Sequence, residues 1–434
     1  MFISLWQMVQ RYRLFRLGLV LTAGLGVITL AIFASLPIIQ PVFYFSRPFG
    51  PHAIGTLTYH LIDSNRAEIF SADAARRREL MVQIWYPAKA PNQVPSPPLR
   101  APYVQDANAL ANALSRLKNL PAVLFRQFKY VTTHAIAGAP VADDKPNYPV
   151  LIFLEGAIGF RQMNTFQVEA LVSQGYIVAA IDQPYTAAVV VFPDGPEVGA
   201  LPLAQMKPLI SQSHIPTTIS PMLGSHAFDK GIVPYLTADV SFTLNQLAGL
   251  NQADPNAVLT GRLDLMHAGT FGVSLGGIVG SEACRLDARL RACLFMDAPM
   301  PVDVVKSGLK QPALWITRDI ETMRLERRRS GGWSEADISE HQSSMRGTFA
   351  NSRGAGYFVQ VPGMFHVNLT DMPYWSPLLP WLSITGPVEA QRAHDIINAY
   401  SLAFFNQHLS GSSQVLIDDL ATQYPEVVFN VRKP

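Results

Sequence analysis

From Pro149 onward, apolar residues fall into short runs that stay apolar along nearly their whole length. Val150–Leu154, Tyr176–Ile181, Leu265–Phe271, Ala292–Met296, Ala313–Thr317 and Tyr357–Val361 are such runs and predict strands. Between them, helical spacing predicts helices over 164–174, 236–250, 276–286 and 335–350, and a long one over 387–409 closes the chain. Strands without polar alternation, separated by helices, form a parallel sheet covered on both faces. Residues 187–235 break the alternation with several prolines and the turn signal Pro193-Asp194-Gly195, and read as an excursion over one end of the sheet.

Upstream, Leu80–Tyr86 predicts a first strand closed by Pro87, and the Pro-rich stretch 87–104 predicts a loop. Residues 106–130 look helical, with Leu110, Leu114, Leu117 and Leu120 at helix spacing. Residues 17–36 carry no charge. As a helix they would span roughly 30 Å, about the thickness of a bilayer core. Arg11, Arg13 and Arg16 precede this run and no acid occurs before Asp63. By the positive-inside rule the expectation is a single-pass transmembrane anchor with the rest of the chain extracytoplasmic. Ala31 and Ala34 are spaced too widely for a cleavage site, which favours an uncleaved anchor. The expected division is a cytoplasmic N-terminus and transmembrane anchor over 1–40, a Pro-punctuated tether and extension over 41–79, and a folded domain over 80–434.

Composition narrows the classes. Hydrophobic residues make up 49% and charged residues 15% of the 434, which excludes a disordered chain. A net charge of +2 gives no reason to expect a nucleic-acid partner. The two cysteines exclude an all-cysteine zinc site; Cys284 and Cys293 read as small buried hydrophobes, with a disulfide open outside the cytoplasm. No metal-ligand spacing, phosphate loop or dinucleotide fingerprint occurs, so no cofactor is expected. The basic clusters Arg76–Arg78 and Arg327–Arg329 read as solvated loops, or as faces toward anionic lipid.

The strongest chemical signal is Gly272-Val273-Ser274-Leu275-Gly276, followed by Gly277, between a predicted strand and a predicted helix. That context is the one a nucleophile elbow requires: small neighbours accommodate a strained serine, and the Leu275 N–H at the helix start can stabilise an oxyanion. Gly276 and Gly280, four apart, also suit close helix–sheet packing. A serine nucleophile needs a base, and the base an orienting acid. Of the histidines after Ser274, His341, His394 and His408 fall inside predicted helices, whereas His366 follows the last predicted strand in a loop. For the acid, Asp297 ends an apolar strand before Ala298-Pro299, and Asp319 lies two residues past Ala313–Thr317. The residues alone leave both open.

The chain resembles the platelet-activating factor acetylhydrolase family (group VII phospholipase A2-like), especially its bacterial members, over roughly residues 80–410. The likeness rests on Val150-Leu151-Ile152-Phe153-Leu154-Glu155-Gly156, on Gly175 through Asp182, on the elbow, on Phe295-Met296-Asp297-Ala298, and on Gly363-x-x-His366 with Asp371 five residues on. It implies an α/β-hydrolase fold, Asp297 as the acid, and a first oxyanion donor in the turn after Val150–Leu154, which maps to Ala157. It also implies hydrolysis of short or oxidised acyl esters of phospholipids without calcium. The other readings are a general esterase or lipase, and a catalytically silent hydrolase fold used for binding. Two departures stand out: Glu155 replaces a family histidine in the oxyanion turn, and Val273 replaces the histidine before the nucleophile. Glu155 is either an electrostatic liability there or a surface residue turned away. Met300, Phe365, Tyr374 and Trp375 read as packing over the triad histidine, or as an apolar entrance.

Overall fold

The strands that read as continuous apolar runs sit side by side at the centre of one sheet. The computed structural model describes residues 2–71, 73–90, 99–224, 226–411 and 417–433, with the side chains of 2–7, 9 and 28–39 outside the description. In chain order, helix α1 (Phe2–Ile39) precedes β1 (Ala53–Ala67), β2 (Arg77–Ala88), β3 (Arg100–Pro102), α2 (Ala107–Lys118) and β4 (Thr132–Ala137). Then come β5 (Tyr148–Leu154), α3 (Thr165–Ser173) and β6 (Ile177–Asp182). The excursion contains two-residue strands β7 (Val189–Val190), β8 (Val198–Gly199), β9 (Met222–Leu223) and β10 (His226–Ala227), with α4 (Leu203–Ser211) among them. Next follow α5 (Val233–Gln252), β11 (Leu263–Val273), α6 (Leu275–Leu286), β12 (Leu290–Met296), α7 (Val302–Ser307) and β13 (Ala313–Thr317). The chain ends with α8 (Ile320–Ser330), α9 (Glu335–Asn351), β14 (Gly356–Gln360), α10 (Ala390–Phe405), α11 (Leu420–Gln423) and β15 (Val428–Arg432).

The main sheet has 11 strands in the order β15-β14-β13-β12-β11-β5-β6-β2-β1-β4-β3. From β14 to β6 every neighbouring pair is parallel. Antiparallel β15 closes one side and antiparallel β2 starts the other. Alternate residues of β5 feed two separate cores. Leu151 and Phe153 pack with Leu171 of α3 and Tyr400 of α10, whereas Val150, Ile152 and Leu154 pack with Leu244 of α5 and Ile278 of α6. That division is the α/β-hydrolase layering the sequence implied.

Two expectations are corrected. Residues 53–67, read as part of a tether and extension without a strand of its own, are a 15-residue strand paired with β2 from Ala53↔Ala88 to Asp63↔Arg78. Its polar residues interrupt every apolar run, so it carried no buried-strand signal. The second correction concerns the transmembrane anchor and the extracytoplasmic, membrane-attached placement that followed from it. Among the described residues no helix is long and apolar enough to cross a membrane. The run at 17–36 is not a helix of its own. It continues from the turns bearing Arg11, Arg13 and Arg16 in one 38-residue helix, and its side chains from residue 28 on lie outside the description.

Candidate active site

Three non-glycine residues with positive φ stand just beyond the C-terminal ends of three adjacent strands: Ile158 (57°) after β5, Ser274 (55°) after β11 and Asp297 (47°) after β12. A β-branched residue in that region is uncommon, and strain of this kind gathers at functional sites. The glycines around Ser274 are sterically required. A Cβ at Gly272 would lie 2.5 Å from the Gly276 backbone, and one at Gly277 would lie 2.6 Å from the Ala298 side chain. Gly156 approaches closest from the β5 turn, where a Cβ would come 3.2 Å from that of Ser274.

The structure brings His366 onto Asp297. The His366 Nδ1–H donates to Asp297 Oδ2 at 2.5 Å, while the His366 backbone N–H donates to Glu326 at 3.3 Å. Ser274 sits on the neighbouring strand end, its backbone N–H donating to the Met296 carbonyl at 2.9 Å. A hydrogen bond between the Ser274 hydroxyl and His366 is not among those of the described residues; such bonds are often long without substrate. The Leu275 N–H opens α6, and neither it nor the Ala157 N–H enters a backbone hydrogen bond among the described residues. Asp319 takes a different place: it caps α8 by accepting the Thr322 N–H at 2.9 Å.

Asp297 is fully buried. Burial opposes its ionisation, but the Arg318 charge and the hydrogen bonds from His341 and His366 outweigh that and hold its carboxyl well below the usual range. Arg318 Nε lies 2.7 Å from Asp297 Oδ2, and Arg318 Nη1 lies 2.5 Å from Glu326. One buried guanidinium therefore joins the two carboxylates that hold the ring and the backbone of His366. Sequence reasoning missed Arg318, Glu326 and His341. The available signals were an arginine directly abutting the apolar strand β13, and a histidine on the helix face shared with Ile338, Met345 and Thr348, all buried.

Glu155 is buried rather than turned to the surface, and accepts the Gln183 N–H at 3.1 Å. Burial, then the charge of Asp182, pushes its carboxyl well above the usual range, which favours the neutral acid at the start of the turn after β5. Met300, Phe365 and Trp375 are buried, and Trp375 packs on Phe128 with ring centroids 4.9 Å apart, so these residues pack and do not form an entrance. Arg78 is fully buried between Glu68 and Asp239 and faces no lipid. Cys284, in the last turn of α6, is joined by a disulfide to Cys293 in β12, tying that helix to the strand that Asp297 directly follows.

A strained serine in a glycine-rich strand-to-helix turn and a buried Asp–His contact, both at the ends of a mostly parallel sheet, mark an α/β-hydrolase-like fold. A family model described as platelet-activating factor acetylhydrolase, isoform II, matches residues 43–194, a span that includes the turn after β5 and ends before Ser274. The platelet-activating factor acetylhydrolase of Cavia porcellus is 26% identical over 282 residues, covering 60% of this chain and 58% of that protein. The one of Canis lupus familiaris is 24% identical over 302 residues, covering 65% and 62%. The chain thus spans less than two thirds of the length of these curated relatives. Among solved structures, a ferulic acid esterase from Streptomyces cinnamoneus superposes with a TM-score of 0.67 at 27% identity, covering 89% of this chain and 99% of that one. The chain is thus similar over part of its length to platelet-activating factor acetylhydrolases, and the three proteins named here are all named for ester hydrolysis.

Proposed function

We propose that the chain is a serine carboxylic-ester hydrolase working through an acyl-enzyme. The observation that carries this reading is the 2.5 Å contact between His366 Nδ1 and Asp297 Oδ2, one strand away from a strained serine. With Nδ1–H committed to the carboxylate, the neutral imidazole keeps Nε2 free to accept the Ser274 proton. Ser274 Oγ attacks the ester carbonyl, and the Leu275 and Ala157 N–H groups receive the negative charge that develops on its oxygen. The proton held on His366 then passes to the departing alcohol. Water, deprotonated by the same nitrogen, releases the acid and restores Ser274.

Similarity to the acetylhydrolases supports short or oxidised acyl groups, of the kind found at the sn-2 position of phospholipids, as the substrate class. The structural likeness to a ferulic acid esterase over most of the chain favours a second reading, an ester of a non-phospholipid acid. Both are tested with p-nitrophenyl acetate, a 2-acetyl phospholipid and methyl ferulate. The expected result is hydrolysis of the first two, lost on treatment with a fluorophosphonate and in Ser274→Ala. Preference for methyl ferulate selects the second reading, and no hydrolysis of any ester rejects both.

A further inference from the structure

Asp297 has more charged and polar neighbours than a triad needs. Its Oδ2 meets His366 and Arg318, while its Oδ1 accepts the Thr317 hydroxyl at 2.6 Å and lies 3.1 Å from His341 Nε2. His341 comes from α9, which has no part in the proposed chemistry, and its ring is 1% exposed. The other ring nitrogen, Nδ1, is buried without a hydrogen-bond partner. A proton there would be unsatisfied, so the ring is neutral and its one proton sits on Nε2, aimed at the carboxylate. Burial, against the opposing pull of Asp297, lowers the proton affinity of His341 in the same sense. Nor is this ring a second base for Ser274, since one nitrogen faces Asp297 and the other is enclosed.

We infer that His341 is a positioning residue: as a fixed neutral donor to Oδ1 it sets the rotation of the Asp297 carboxylate so that Oδ2 faces His366. The inference rests on the esterase reading above. The rotation matters because, without His341, Oδ1 keeps the Thr317 hydroxyl, which turns about its own Cα–Cβ bond, and the carboxylate can then pivot about its Cβ–Cγ bond and carry the imidazole with it. α9 is itself fixed to the segment behind Asp297, because the Ser344 hydroxyl accepts the Met300 N–H at 3.1 Å. The groups facing the Asp297–His341 pair are Arg318 from the end of β13, Glu326 of α8 behind it, and His366 after β14. The Trp333 ring closes the side, 5.5 Å from His341 and 6.0 Å from His366 between centroids.

The test compares His341→Phe, which keeps a ring and removes the donor, with His341→Gln, which returns an N–H. On p-nitrophenyl acetate, His341→Phe is expected to lose roughly 10- to 100-fold in kcat with KM changed less than about twofold. The acid limb of its kcat/KM-against-pH profile should move to higher pH, because a carboxylate short of one donor attracts the imidazolium proton more strongly. His341→Gln should recover most of both effects. A folded His341→Phe protein with wild-type kcat and an unmoved acid limb overturns the inference. So does a loss that glutamine leaves unrepaired while the melting temperature falls. Where phenylalanine prevents folding, His341→Met against His341→Gln gives the same comparison. A wild-type protein without esterase activity, or activity that survives Ser274→Ala, overturns the reading of the site itself.

Discussion

A Cβ at Gly276 would stand 2.0 Å from the carbonyl oxygen of Leu154. The first turn of α6 therefore lies directly against the end of β5, next to the turn that carries Ala157. Gly280, one turn on, meets only ordinary contacts, 3.6 Å to Leu154 and Thr270 side chains. Gly276→Ala is expected to lose most esterase activity and to destabilise by roughly 3 kcal/mol or more, since backbone atoms cannot yield. Gly280→Ala should keep kcat and gain up to about 1 kcal/mol from helix propensity. Melting temperature and p-nitrophenyl acetate turnover of the two variants check this; equal effects would falsify it.

The two acids that compete in the sequence have separate roles in the fold. Asp297→Asn removes the charge facing Arg318 and lets His366 adopt the wrong tautomer, so kcat is expected to fall by about 10⁴. Asp319→Asn replaces one good helix cap by another and should change kcat less than about threefold. Steady-state kinetics on the two purified proteins, with melting temperatures as controls, decide between them. A larger loss at Asp319 would mean that the orienting carboxylate is misassigned.

Acid should destabilise the fold through His394. This ring is buried against Phe166, with centroids 3.7 Å apart, and its Nε2–H donates to the Thr370 carbonyl at 3.0 Å. Burial lowers its pKa to about 4, against about 6.5 in the unfolded chain. The unfolded state therefore takes up the proton first. The contribution of the neutral ring is complete above pH 6.5 and shrinks as pH falls toward 4. Between pH 8 and pH 5 the loss amounts to roughly 2 kcal/mol. Urea unfolding at the two pH values measures it, and His394→Gln should show a smaller loss by about that amount. Parallel pH dependence in both proteins would contradict the assignment.

The strand-and-helix succession after Val150 was legible because these strands are buried on both faces over most of their length, Met266 and His267 at the start of β11 excepted. β1 was not, because it pairs near the sheet margin with polar residues facing partly outward. Ser274 was readable as a candidate nucleophile from the steric demand of its turn, which only small neighbours meet. His366 was readable as a candidate base because it alone among the later histidines fell in a loop after a strand.

The sequence by itself determined the local conformations: where strands end, where a serine must take a strained φ, and which acids and histidines stand at those ends. Tertiary structure alone decided who meets whom. His341 looked like an interior helix residue and Arg318 like part of a polar run, yet the fold brings His341 of α9 and Arg318, just past β13, both onto Asp297. Such contacts join residues 21 and 44 positions apart. No periodicity along the chain encodes them, because they depend on how separate elements stack across a sheet.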